Sequence, residues 1–190
     1  MNISAIVLAA GRSVRMGRQK LLLPWDDKTV LGKVLETLQN AGVEDMIIVT
    51  NSEIANSISN HQFPIALNDD GEMLASIQCG LRSVKPSAEA ALICLGDQPQ
   101  MEAGSVSTVC SAYLKSRSRL VVPSYQMRRG HPWLAARAIW DEILVMEEGQ
   151  SMRKFMNAHS NEIEYVNLDT PTIFQDLDTP DDYLKYKPGL

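Results

Sequence analysis

Short unbroken apolar runs alternate along this chain with longer stretches in which apolar residues recur every three or four positions. Residues 3–9, 45–50, 64–67, 90–95 and 120–123 are rich in Ile, Val and Leu, the pattern of strands buried on both faces. Between them the period changes. Val30, Val34, Leu35 and Leu38 share one face of a helix that Gly42 ends. A second helix is predicted over 53–60 from a cap at Ser52, and a third over 73–84, with Ile77 and Leu81 inward and a stop before Pro86. Residues 102–115 and 137–146 also read as helical, and Ser151 caps a stretch through 158. Thr179 opens a final helix, with Pro180 at its first position and acids in its first turn.

Repeated strand–helix–strand units predict an α/β fold of three layers, a mostly parallel sheet with helices on both faces. Such sheets bind ligands at the carboxyl ends of their strands. With 190 residues, no internal repeat and no linker, the expectation is one domain over 1–190 that buries roughly 70% of its unfolded surface.

Composition narrows the class. The chain is 45% hydrophobic with a formal charge of -5. It has no apolar stretch near the roughly 20 residues of a membrane span, and the net negative charge gives no nucleic-acid footprint. The N-terminal run lacks a basic lead and turns into Gly-Arg-Ser, so it reads as a strand and not a signal peptide, with cytoplasmic residence expected. Cys79, Cys94 and Cys110 show no C-x-x-C spacing, which argues for reduced thiols and against zinc. His61, His131 and His159 are too scattered for a metal cluster.

Against that acidic background stands one basic loop. The first apolar run ends at Gly11, and Arg12, Arg15, Arg18 and Lys20 follow. Small residues let backbone N–H groups approach an anion, and the cations supply the charge that a phosphate chain needs. The loop is not a Walker A motif, because five residues separate Gly11 from Gly17 and Arg18 follows. Nor is it the dinucleotide fingerprint, since Arg12 and Ser13 follow Gly11.

Three further segments carry chemistry. Asp97 stands directly after a buried strand, between Gly96 and Pro99. Mg²⁺ takes one or two protein carboxylates and completes its shell with phosphate oxygens and water, a role Asp97 suits; capping or turn closure is the structural alternative. Asp176 and Asp178 alternate around Leu177, so both face one side of an extended segment. Arg128-Arg-Gly-His-Pro-Trp133 puts two guanidiniums and an imidazole on one loop, which is either a phosphate-facing loop or an ordinary exposed turn. Trp25, Trp133 and Trp140 read as packing residues.

The loop resembles the signature A-[AG]-G-x-S-x-R-M-G-x-x-K of the MobA-like nucleotidyltransferases, matched by Ala9, Ala10, Gly11, Ser13, Arg15, Met16, Gly17 and Lys20. With Gly96–Pro99, the G-H-P box and the D-x-D-T-P box, the resemblance spans nearly the whole chain. Ala9-Ala10-Gly11, the Leu-Leu-Pro after Lys20 and G-H-P favour the molybdenum cofactor cytidylyltransferase branch. The resemblance implies a Rossmann-like nucleotidyltransferase domain. It implies Asp97 and Asp178 as Mg²⁺ ligands, His131 beside the second substrate, and Asn68 and Ser76 near the nucleotide, with Gly80 completing an S-x-x-x-G helix. The family has glycine close to position 72, where this chain has Glu72; Gly71 stands one residue away.

The implied reaction moves CMP from CTP to a phosphorylated pterin, molybdopterin, and releases pyrophosphate. Leu8, Ala9, Ala10, Gly11 and Arg12 would hold the nucleotide, and Lys20 and Arg15 would neutralise developing charge. Transient contact with a molybdoenzyme follows from the same resemblance. Three alternatives remain at this point: guanylyl transfer, a sugar-phosphate acceptor, or a non-catalytic cofactor-binding chaperone.

Overall fold

A computed structural model describes residues 2–58 and 62–189. The chain begins with β1 (Ile3–Ala9), a hairpin of β2 (Pro24–Trp25) and β3 (Lys28–Thr29), α1 (Val30–Asn40), β4 (Met46–Thr50) and α2 (Ser52–Ser57). It continues through β5 (Ile65–Leu67), α3 (Met73–Ser83), β6 (Ala90–Leu95), α4 (Ala103–Ser116) and β7 (Leu120–Tyr125). The last part holds β8 (Arg128–Arg129), β9 (Trp133–Ala136), α5 (Trp140–Leu144), α6 (Met152–Ala158), β10 (Ile163–Asn167) and α7 (Pro180–Tyr186).

The main sheet runs β10-β7-β9-β6-β1-β4-β5, with β8 paired to β7. β1 lies parallel between β4 and β6, and β10 is parallel to β7. β9 runs against its two neighbours, β6 and β7, and β8 runs against β7. Side chains along β1 alternate between the faces: Ala5 and Val7 pack with α1 and α4, while Ile6 packs with Ile77 of α3 and Ile143 of α5. Trp25, Trp133 and Trp140 are all buried, as packing requires. No helix among the described residues is long and apolar enough to cross a membrane.

The predicted α/β architecture is the one observed, with local differences. β2, β3, β8, β9 and β10 were not predicted. The 137–146 segment divides into a 3-10 turn over Arg137–Ile139 and the short α5. The helix after β4 is capped by Asn51, whose side chain accepts from Ile54 N at 2.9 Å, and not by Ser52. Ser52 instead donates through its amide and hydroxyl to Asp69 at 2.8 and 3.0 Å. Positions 59 and 60 of that predicted helix, and His61, lie outside the described residues.

Other caps are where the sequence put them. Ser151 accepts from Lys154 N, and Thr179 and Asp182 form a reciprocal capping box. Cys79, Cys94 and Cys110 are free. Burial pushes the Cys110 thiol up to about 11 and Cys94 well above its usual range, so neither is a nucleophile.

Candidate active site

The strand order puts the carboxyl ends of β1 and β6 side by side, and the basic loop leaves the sheet there. Met16 is buried and pins the loop, which turns through left-handed conformations at Ser13 and Gly17. Ser13 Oγ accepts from Lys20 N at 3.3 Å and closes it. Leu21 and Leu23 are buried on either side of Leu22, which fixes the stem of Lys20.

Lys20 reaches across to the end of β6. Its Nζ lies 2.5 Å from Asp97 Oδ2 and 3.4 Å from Asp178 Oδ1. The Lys20 and Asp97 side chains are only 13% and 17% exposed, so their attraction is poorly screened. Arg15 Nη2 approaches the other oxygen of Asp178 at 3.0 Å from a solvent-exposed position. Leu177, fully buried, donates its amide to the Asp97 carbonyl at 3.1 Å and clips the Asp176–Asp178 segment onto the end of β6.

Gln98 strengthens that clip. Its Nε2 donates to Asp176 Oδ1 at 2.6 Å and to the Ile173 carbonyl at 3.3 Å. Burial above all, and then the negative charges of Asp97 and Asp178, push the Asp176 carboxyl above its usual range, against the opposing pull of Gln98 and Lys20. Among the described residues no group of three His, Cys, Asp or Glu side chains is placed to hold a metal ion. Asp97 and Asp178, both within reach of Lys20, are the one or two protein carboxylates that Mg²⁺ takes when phosphate oxygens and water complete its shell.

The cleft above these groups has a volume of about 220 Å³ and is lined by eight of the predicted residues: Leu8, Ala9, Ala10, Gly11, Lys20, Ser76, Asp97 and Asp178. Arg15 joins through Asp178. Asn68 does not line it; buried, it donates to Ser76 Oγ at 2.8 Å and so supports the cleft from behind. Arg12 faces a neighbouring cleft of about 1030 Å³ between the start of α3 and residues 148–153. His131 lines a third, of about 940 Å³, beside β7, β8 and β10. Burial lowers the His131 pKa to about 4, so the imidazole is neutral. Met73 lines all three clefts and joins them.

Sequence reasoning missed Met73, Leu21 and Leu95, whose apolar character carries no chemical signal, and left Asp176 without a role. Gly71 was flagged only as a shifted glycine. It lines the cleft with φ +75°, and a Cβ there would stand 3.3 Å from the Ala10 carbonyl.

Comparison with known proteins identifies the family. The chain is 26% identical over 194 residues to the molybdenum cofactor cytidylyltransferase of Escherichia coli K12, covering 97% of this chain and 95% of that one. It is 24% identical over 196 residues to a probable molybdenum cofactor guanylyltransferase of Bacillus cytotoxicus, covering 96% and 94%. Among solved structures, Rv0371c of Mycobacterium tuberculosis H37Rv superposes with a TM-score of 0.87 at 28% identity, over 97% of each chain. A complex of the same protein with manganese superposes at 0.83, with 25% identity and full coverage of both chains. The model of the MobA-like NTP transferase domain matches residues 5–163. The chain therefore belongs to the MobA-like NTP transferase domain family and is a nucleotidyltransferase.

Proposed function

We propose that this enzyme moves CMP from CTP to the terminal phosphate of molybdopterin, in molybdenum cofactor biosynthesis, and releases pyrophosphate. The observation that carries the reading is Lys20 Nζ seated between Asp97 and Asp178 at the mouth of the glycine loop. A cation and carboxylates meeting beside a phosphate-binding turn is the equipment of phosphoryl-group chemistry and not of binding alone. The full-length likeness to the E. coli cytidylyltransferase supports CTP and molybdopterin as substrates. The likeness to the B. cytotoxicus protein supports GTP as the second choice of nucleotide, with the chemistry unchanged.

In the proposed reaction, backbone N–H groups of residues 10–12 cradle the triphosphate. An oxygen of the acceptor's phosphate forms a bond to the α-phosphorus, the α–β phosphoanhydride bond breaks, and pyrophosphate leaves with the electron pair. Lys20 and Arg15 turn from their aspartates to the phosphates and neutralise the charge that builds on the α-phosphoryl and leaving oxygens. Asp97 and Asp178 hold Mg²⁺, a reading supported by the donor set and by the manganese complex of the mycobacterial relative. Bound there, the ion supplies Lewis-acid polarisation of phosphate oxygens. The groove bearing His131 receives the acceptor, because it joins the triphosphate cleft at Met73.

Thermal-shift titration with CTP, GTP, ATP and UTP, each with and without Mg²⁺, tests the reading. A ligand at about 100 times its Kd stabilises the fold by about 2.7 kcal/mol. The expected result is a Mg²⁺-dependent shift with CTP that Asp97→Ala abolishes. A shift with GTP alone transfers the assignment to guanylyl transfer, and no shift with any nucleotide refutes both.

A further inference from the structure

The His131 groove is cationic on an acidic protein. Arg128, Arg129 and Arg153 line it, with no aspartate or glutamate among its described lining residues, although the chain's formal charge is -5. Arg128 is stacked on Phe174, with its guanidinium carbon 4.4 Å from the ring centre. Arg129 is held in a different way. Its Nε and Nη2 donate to the Tyr165 hydroxyl at 2.9 and 2.5 Å, and its Nη1 donates to Asn157 Oδ1 at 2.7 Å.

Both partners of Arg129 are neutral, so the fork is fixed while its charge stays uncancelled. Arg119, by contrast, is neutralised by Glu142 and Glu162, as a purely structural arginine is expected to be. The Tyr165 oxygen accepts from the guanidinium, which leaves its own O–H to donate outward, beside the positive charge. A fixed, uncompensated guanidinium next to an outward hydroxyl is a preorganised anion receptor. Trp133, Met152 and Met156 line the same groove and give it an apolar, polarisable surface.

We propose that Arg129, fixed by Tyr165 and Asn157, is a second anion site that grips the far end of an elongated acceptor. Tyr165 stands on β10, three strand spacings from β6, whose end carries Asp97. At about 4.8 Å per spacing, the separation is about 14 Å. The acceptor class is then a phosphate monoester with a flat, apolar or soft body whose opposite end presents an anionic or electron-rich oxygen to Arg129 and Tyr165, as the pyrimidinone carbonyl of a pterin does. This inference rests on the nucleotidyl-transfer reading for what occupies the Asp97 end.

Crystals of the full chain soaked in tungstate, a tetrahedral dianion visible by its anomalous scattering, test it directly. The expected map has one peak at the Gly11–Lys20 loop and a second against Arg129 and the Tyr165 hydroxyl, the second lost in Arg129→Gln. A peak at the loop alone, or a groove peak that survives Arg129→Gln, overturns the inference and leaves the nucleotidyl-transfer reading standing. A groove peak without a loop peak, with no turnover of CTP or GTP, overturns that reading and keeps the anion site. In solution, Arg129→Gln should raise the KM for the phosphorylated pterin about 10- to 100-fold, the cost of one charge-assisted interaction, with kcat and the KM for CTP within about two-fold. Arg129→Lys, which keeps the charge and loses the fork, should fall between. A loss confined to kcat overturns the assignment. Should Arg129→Gln fail to fold, Tyr165→Phe carries the test, with an expected rise of about 3- to 10-fold in the same KM.

Discussion

One methyl group at Gly130 should disturb both substrate clefts at once. A Cβ there would stand 2.5 Å from the Ile173 carbonyl oxygen, 2.6 Å from its Cγ1 and 2.8 Å from its Cβ. The carbonyl oxygen and Cβ do not move with χ1, so no rotamer change relieves the overlap. The same carbonyl accepts from His131 N at 2.7 Å and from Gln98 Nε2 at 3.3 Å. Displacing Ile173 therefore adds an overpacking cost of about 1–3 kcal/mol to the weakening of two hydrogen bonds of about 1 kcal/mol each. Gly130→Ala should lose about 3 kcal/mol, which for a chain of this size lowers the melting midpoint by about 6–12 °C. Ile173 also leads into Asp176 and Asp178, so turnover should fall at least tenfold, since misplacement of about 1 Å can cost about 100-fold. Melting followed by circular dichroism and pyrophosphate release measure the two effects. Gly104→Ala is the control: nothing lies within 4 Å of its Cβ, and in α4 alanine should be neutral or stabilising by up to about 1 kcal/mol. A Gly130→Ala protein that melts within about 2 °C of the parent, with unchanged turnover, would refute the argument.

Three other perturbations have definite expectations. Lys20→Ala should lower kcat by about 10²–10³ with the fold retained, and near-normal turnover would remove Lys20 from the mechanism. Gly71→Ala forces alanine into a left-handed conformation at about 1–2 kcal/mol and presses on Ala10; a rise of about tenfold in the nucleotide KM with kcat preserved is expected in steady-state assays. For His131, the folded pKa of about 4 lies below the unfolded 6.5, so the unfolded chain takes up the proton first as pH falls. Its contribution is whole above about pH 6.5 and is lost between there and about pH 4, amounting to about 3 kcal/mol at 1.4 kcal/mol per pH unit. Denaturant titrations across that range should show a shallower pH dependence in His131→Asn; an identical slope would contradict the burial of the imidazole.

What the sequence made legible was local chemistry. The apolar runs of β1 and β6 and the Thr179 cap all depend on residues close together in the chain, and each was found where expected. The glycine turn expected at Gly11 lies later, in the left-handed residues Ser13 and Gly17. Ser52 shows the limit of such reasoning, because Asn51 and Ser52 are both good caps and the choice is made by Asp69, which engages Ser52 from seventeen residues away. Trp133–Ala136 is too short to announce a strand; its place between β6 and β7 follows from the reversal of the chain through β8. The loop of Gly130 reads from sequence as either phosphate-facing or an ordinary exposed turn, and the glycine's role is to leave room for Ile173.

The site itself depends on strand order, which hydrophobic periodicity does not encode. Lys20 and Asp97 are 77 positions apart and meet because β6 pairs with β1. The Arg129 fork likewise exists only because β10 closes the sheet beside β7, carrying Tyr165 to the far side of the groove from Asp97. A nucleotide loop can therefore be read from one short segment, whereas the acceptor's receptor is assembled from β8, α6 and β10. Acceptor choice, on this argument, is set by residues whose partnership no local motif displays, and exchanging Arg129, Asn157 and Tyr165 together should alter it while leaving the nucleotide KM unchanged.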